Sequence, residues 1–193
     1  MGDVKAGSKV FRAFLVFAVF LLEGWGEAKT YLTHQEALKL AFPGEIQVER
    51  LSLTLTVEQV KTVERKAGGG INMPSKVVKY YRGTMKGEVT AYAFMESHVV
   101  RSKTETFMAV VNPNGTLRFV EMLAFDEPEE YGPTAAWLNQ FRDKKLEDAL
   151  RVKRGLSNMA GASLTSLAMT DGVRRILATF PEILKEESRY LRR

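Results

Sequence analysis

The residues best placed to do chemistry lie between Gly155 and Ser166, in the run GLSNMAGASLTS. Small residues Ala160, Gly161 and Ala162 lead straight into a hydroxyl, Ser163, where a helical pattern begins. The first turn of a helix leaves backbone N–H groups unpaired, and their partial positive charge attracts phosphate. Residues without bulk let a phosphate approach the backbone closely. Thr165 and Ser166 add donors in the same turn. Asn158 offers an amide for the polar edge of a ligand or for capping a turn, and Leu164 faces either a ligand or the core. The chemistry on offer is a phosphate seat beside a nucleophile-type hydroxyl. A serine in this place also serves as an ordinary helix cap, and the residues alone leave both uses open. An exposed dipole contact contributes only about 0.3–1 kcal/mol, so a nucleotide-sized ligand needs a deep pocket or a covalent bond as well.

Other candidates are less focused. Asp126, Glu127, Glu129 and Glu130 form an acidic loop. Two close carboxylates can share acid and base work, but clustered charges also simply solvate a loop. A hydrolase built on this loop would have no positioned partner in the sequence. Tyr131 and Trp137 can stack on a ring or pack in a core. His34 and His98 are the only histidines, far apart in the chain, which argues against zinc, and His98 reads as a surface residue at a strand end. Gly68-Gly69-Gly70 has no Lys-Ser/Thr after it, so it reads as a connector and not as a phosphate loop. Without cysteine there is no disulfide, iron–sulfur cluster, thioether-linked haem or lipid anchor. Any redox cofactor must then be organic.

The elements that would position these residues follow from periodicity. Lys5, Lys9 and Arg12, the apolar run Ala13 to Leu22, and Gly26 with Ala28 stand in the order of a secretory signal or an N-terminal anchor over residues 1–28. Residues 29–193 remain for one domain. Thr33 with Glu36 has capping-box spacing and opens a helix that Pro43-Gly44 ends. A second helix starts near Thr56 and stops at Gly68. Val77 to Tyr81, Val89 to Met95, Glu105 to Val111 and Leu117 to Phe125 read as strands, with hairpin turns at Gly83 to Gly87 and Asn112 to Gly115. Helices are then expected from Pro133 to Phe141, over Leu146 to Val152, from Ser163 to Phe180, and from Pro181 onward. The fold class is therefore α+β, an antiparallel meander flanked by N-terminal and C-terminal helices.

Charge narrows the partners. The net charge is +5, and in residues 1–28 three cations cancel three acids, so the excess belongs to the domain. It suits an acidic partner or an anionic membrane surface, and it is too dispersed for nucleic acid.

The junction segment resembles the S-G-A-T-x-[ST] motif of the FMN-binding domain family. That family includes the C subunit of sodium-pumping NADH:quinone reductase and the G subunit of its ferredoxin-linked relatives. Ala160, Gly161, Ala162 and Ser163 fall on the four motif positions. The stretches YLTHQEALKLAFPG, VVNPNGTLRFVEMLAFDEPEEYG and WLNQF also resemble stand-alone exported members. The resemblance implies FMN as cofactor, esterified through its phosphate to Ser163 by a flavin transferase, with Glu127 near the flavin. It implies an exported electron carrier, periplasmic or on the outer face of the membrane. Its partners would be a membrane quinone- or NADH-linked module, or cytochromes. Ala160 replaces the family's serine and Ser163 its threonine, and a primary hydroxyl forms the same ester. Ser157 stands where the family often has an acid, six residues before the acceptor. These departures motivate the alternative of a binding module of the same fold that has lost covalent flavin.

Overall fold

The computed structural model describes residues 29–68, 70–146 and 150–190. Its elements in chain order are β1 (Lys29–Thr30), α1 (His34–Ala41), β2 (Gln47–Thr54), α2 (Val57–Ala67), β3 (Val77–Met85), β4 (Glu88–Val100), β5 (Lys103–Val111), β6 (Leu117–Phe125), α3 (Ala135–Leu138) and α4 (Ser163–Tyr190). The six strands make one antiparallel sheet in the order β1-β6-β5-β4-β3-β2. The class is α+β, and β2 to β6 form a meander.

Alternation along the strands divides the core into two layers, because successive strand residues point to opposite faces. On one face Tyr80, Phe94, Phe107, Val120 and Met122 pack under α2 and α4. On the other, Ala91, Ala93, Met108, Val110 and Leu123 lie against Ala37, Ala41 and Phe42 at α1. Both short helices start as their residues dictate. Thr33 and Glu36 cap each other reciprocally, and Thr56 and Gln59 do the same for α2.

Two strands arise where periodicity marks no element, and two expected helices differ. The segment 47–54 is strand β2; most of its residues are exposed, and its pattern is correspondingly weak. The two-residue β1 is set by pairing with Ala124 and Phe125, not by its own sequence. The two C-terminal helices are one, with Pro181 inside α4. Proline removes one backbone bond, at a cost of about 3 kcal/mol. Burial of Val173, Leu177 and Phe180 before it and Ile183 after it offsets that cost. The expected helix over 146–152 falls partly outside the described residues, and residues 150–156 form a tight loop. There Leu156 N–H donates to Arg151 O at 3.1 Å and Lys153 N–H to Leu156 O at 2.8 Å.

α4 is anchored at several points. Arg174 is buried and donates from Nε to Ala67 O at 2.5 Å and from Nη1 to Leu150 O at 3.0 Å. It thereby ties the end of α2 and the 150–156 loop to the same helix. At the other end the Tyr80 and Tyr92 hydroxyls donate to Glu187 at 3.2 and 2.6 Å. Burial, reinforced by that carboxylate, pushes both phenols well above their ordinary range. At Gly172 the helix lies close to the sheet: a Cβ there would stand 2.8 Å from Phe107 Cζ and 2.8 Å from Glu96 Oε1.

Candidate functional site

The small-residue loop lies where the sequence argument needs it, at the start of the long helix. Gly161 has φ +77°, a left-handed conformation that glycine adopts without strain. A Cβ at Gly161 would meet nothing within 4 Å. Ala162 donates its N–H to Met159 O at 3.2 Å, and Ser166 N–H makes the first helical bond, to Ala162 O at 3.1 Å. The N–H groups of Ser163, Leu164 and Thr165 therefore precede the intrahelical ladder, as helix geometry requires. Ala162 occupies the cap position and has no hydroxyl, so Ser163 is the first helical residue and not the cap.

Ser163 is exposed. Its Oγ accepts a hydrogen bond from Asn158 Nδ2 at 3.0 Å. Ser166, fully buried, donates from Oγ to Asn158 Oδ1 at 3.1 Å and to Ser163 O at 3.0 Å. Asn158 thus holds the two serines in one small network across the turn. Thr165 is buried, and its side chain is withdrawn from solvent. Leu164 is 49 % exposed, which resolves the choice left by the sequence: it does not enter the core.

Beside this junction is a cleft of about 380 Å³. Glu130, Trp137, Gln140, Ser157, Asn158 and Ala160 contribute to its walls, and Ala162 reaches it from the start of α4. The volume lies within the ~300–1,000 Å³ of small-molecule sites. Helix α3 builds one wall, held by Thr134, whose hydroxyl accepts from Trp137 N at 3.2 Å. Trp137 is buried and donates from Nε1 to Ser157 O at 2.7 Å. Gln140 reads the same residue twice: its Oε1 accepts from Ser157 N and its Nε2 donates to Ser157 Oγ, each at 2.8 Å. The loop before Ser163 is therefore fixed to the 134–141 segment by three hydrogen bonds through Ser157.

The acidic loop contributes differently from its expected member. Glu127 is not in the cleft wall; its Oε1 accepts from the N–H groups of Ser102 and Lys103 at 3.3 and 3.2 Å and so closes the β4–β5 turn. Glu130 lines the cleft instead. Glu129 pairs with Lys29 at 2.7 Å, which raises the lysine through that hydrogen bond. Tyr131 lies under Arg101, 4.4 Å from its ring centroid. No rule of spacing marks Gln140 or Glu130. Their place in the wall comes from the turns at 129–131 and 139–141, which fold 157–163 against them.

Three roomier clefts, about 500, 510 and 420 Å³, lie elsewhere, and none is lined by a residue of 155–166. His98, expected at the surface, is largely enclosed: its side chain is 17 % exposed and its Nε2 stands 2.5 Å from Glu105 Oε1. The cause is register, since His98 and Glu105 face each other across β4 and β5 on the side that α4 covers. His34 meets the Tyr81 hydroxyl at 2.9 Å on the opposite face. Among the described residues no helix is long and apolar enough to cross a membrane. No protein-family model matches the chain, and neither a curated protein nor a solved structure matches it.

Proposed function

We propose that the protein is an exported flavoprotein that carries electrons, with FMN seated at residues 157–166 and esterified to Ser163. The observation that carries this is the exposed Ser163 hydroxyl at the first helical position, beside amides outside the helical ladder and a cleft of ligand size.

The donor set fits a phosphate ester. The N–H groups of Ser163, Leu164 and Thr165 supply hydrogen bonds and partial positive charge. Ala160, Gly161 and Ala162 leave the approach open. Among the described residues Glu130 is the one charged member of the cleft wall, and its sign opposes a free phosphate dianion. Esterification lowers the phosphate to a single negative charge and removes the need for a cation. Trp137, Gln140 and Asn158 would set the orientation of the bound group, the first by packing and the others by their amides. When bound, FMN accepts two electrons and passes them on singly, with the protein supplying position and electrostatics. Among the described residues beside the cleft none makes a nucleophile–base pair for turning over a metabolite, and the partners would be other redox modules.

The test is to export the protein alongside a flavin transferase and view a denaturing gel under ultraviolet light. A fluorescent band that disappears in Ser163→Ala is the expected result. A yellow native protein with a dark band would mean non-covalent FMN. A protein colourless in both states would favour a non-redox binding module, for which Ala160 and Ser157 are the motivating departures.

A further inference from the structure

The β6 edge of the sheet is closed at both ends and open in the middle. At one end Lys29 and Thr30 of β1 pair with Phe125 and Ala124, and the N–H groups of Tyr31 and Leu32 donate to Leu123 O at 2.8 and 3.2 Å. At the other end Leu117 N–H donates to Lys144 O and Asp143 N–H to Leu117 O, each at 2.8 Å. Between them residues 119–122 pair with β5 on their inner side, and among the described residues no backbone bonds to them on the outer side. Along a strand the N–H and C=O groups turn alternately to either side, so this stretch carries donors and acceptors with no strand beside them. Such an edge is a template for another strand.

The open edge lies in a cleft of about 500 Å³. Phe119, Val120 and Glu121 line it from β6, Leu40 from α1, and Ala135 and Leu138 from α3. α1 packs on one face of the sheet, and α3 belongs to the layer on the other. A cleft that touches both helices therefore straddles the edge between them. From Leu117 to Leu123 a strand spans about 20 Å, room for roughly five residues of an extended chain.

The lining also carries a charge preference. Among the described residues no hydrogen bond or ion pair engages the Glu121 carboxylate, and burial alone acts on it, raising it above its ordinary range. Arg142, the other charged member of the lining, donates from Nε to Asn139 Oδ1 at 3.1 Å. A cation brought beside a partly buried carboxylate gains from the lower local dielectric. Leu40, 46 % exposed, offers apolar surface at the rim.

We propose that this slot takes an extended segment of a partner protein, added to β6 as a further strand, with a Lys or Arg side chain set against Glu121 and apolar neighbours against Leu40 and Leu138. Main-chain bonds to 119–122 hold the segment, and the side-chain contacts select it. An edge set between two helices admits a single chain more readily than the same edge of a second copy, whose own helices would meet the first pair. The proposal is independent of the flavin assignment, since no residue of 155–166 lines the slot.

The test is a titration of the full isotope-labelled chain, followed by NMR, with a blocked seven-residue peptide of alternating Val and Thr and a central Lys. Shifts should concentrate at residues 119–122 and Leu40. A central Glu in place of the Lys should weaken binding about fivefold. N-methylation of one alternate set of peptide amides should weaken it at least about tenfold, and of the other set by less than about twofold, because an added strand bonds along one edge only. Glu121→Gln should bring the Lys and Glu peptides within about twofold of each other. Leu40→Lys, at an exposed position, should weaken the Lys peptide about fivefold and decides the matter should Glu121→Gln fail to fold. Absence of shifts at 119–122 overturns the proposal, as does equal binding of the two peptides or indifference to both methylations. Exchange protection of the outward amides of 119–122 before peptide is added also overturns it. Protection that grows with protein concentration would assign the edge to a second copy, and constant protection to another part of this chain.

Discussion

Ser163 and Ser157 divide the work of the site between them. Ser163 presents a hydroxyl to solvent at the helix start, held by Asn158. Ser157 positions the loop, because Trp137 and Gln140 bond its carbonyl, its N–H and its hydroxyl oxygen. Ser163→Thr should keep covalent flavin, since a secondary hydroxyl at the same place forms the same ester, whereas Ser163→Ala should lose all of it. In-gel fluorescence normalised to protein reads both. Trp137→Phe retains the ring packing but removes the donor to the Ser157 carbonyl. The expected loss is about 0.5–1.5 kcal/mol, measured by urea unfolding. A loss below about 0.5 kcal/mol would mean that Gln140 holds the loop alone.

At the scale of elements, α4 carries both the candidate site and a close helix–sheet contact at Gly172. Gly172→Ala should destabilise the protein by about 1–3 kcal/mol, since the new methyl meets Phe107 and Glu96 at 2.8 Å. That outweighs the ~0.5–1 kcal/mol that alanine gains in a helix interior. A stabilised variant in thermal or urea unfolding would show that the helix shifts freely on the sheet. Thr56→Ala breaks the reciprocal cap of α2 and should cost about 1 kcal/mol by the same measurement. The elements that the sequence announced are those with local punctuation: Thr33 with Glu36, Thr56 before Gly68, and Asn112 to Gly115. β1 and β2 lacked it, because one depends on β6 for its existence and the other exposes most of its residues at a sheet edge. Pro181 misled because a proline at the surface of a short helix ends it, whereas here buried residues on both sides hold the helix together. The position of Ser163 was readable from the small residues before it. The walls at Glu130 and Gln140 were not, since they depend on how two short turns fold against the 157–163 loop.

For the whole molecule, raised and lowered carboxyl groups act on stability in opposite directions. Glu182 is held below its ordinary range, chiefly by Lys185. A lowered carboxylate contributes stability at neutral pH that is lost as pH falls below about 4.5 and through its native value. Glu105 and Asp171 are raised, chiefly by burial, and their contributions run the other way: present in acid and lost as pH rises through their native values. Thermal unfolding from pH 4 to 9 should therefore show a maximum. Glu105→Gln should raise the melting temperature more at pH 8 than at pH 5. An equal shift at both would mean that the carboxylate is uncharged throughout. Both ends of α4 are tied by side-chain hydrogen bonds, Tyr80 and Tyr92 to Glu187 at one end and Arg174 to the Ala67 and Leu150 carbonyls nearer the other.

The most direct measurement is mass mapping of the exported protein after maturation with a flavin transferase, focused on the tryptic peptide Gly155–Arg174. The expected peptide is heavier by one FMN less one water, with fragmentation placing the addition on Ser163. A bare peptide from a protein that is also colourless in its native state would contradict the proposed flavin seat at the start of α4.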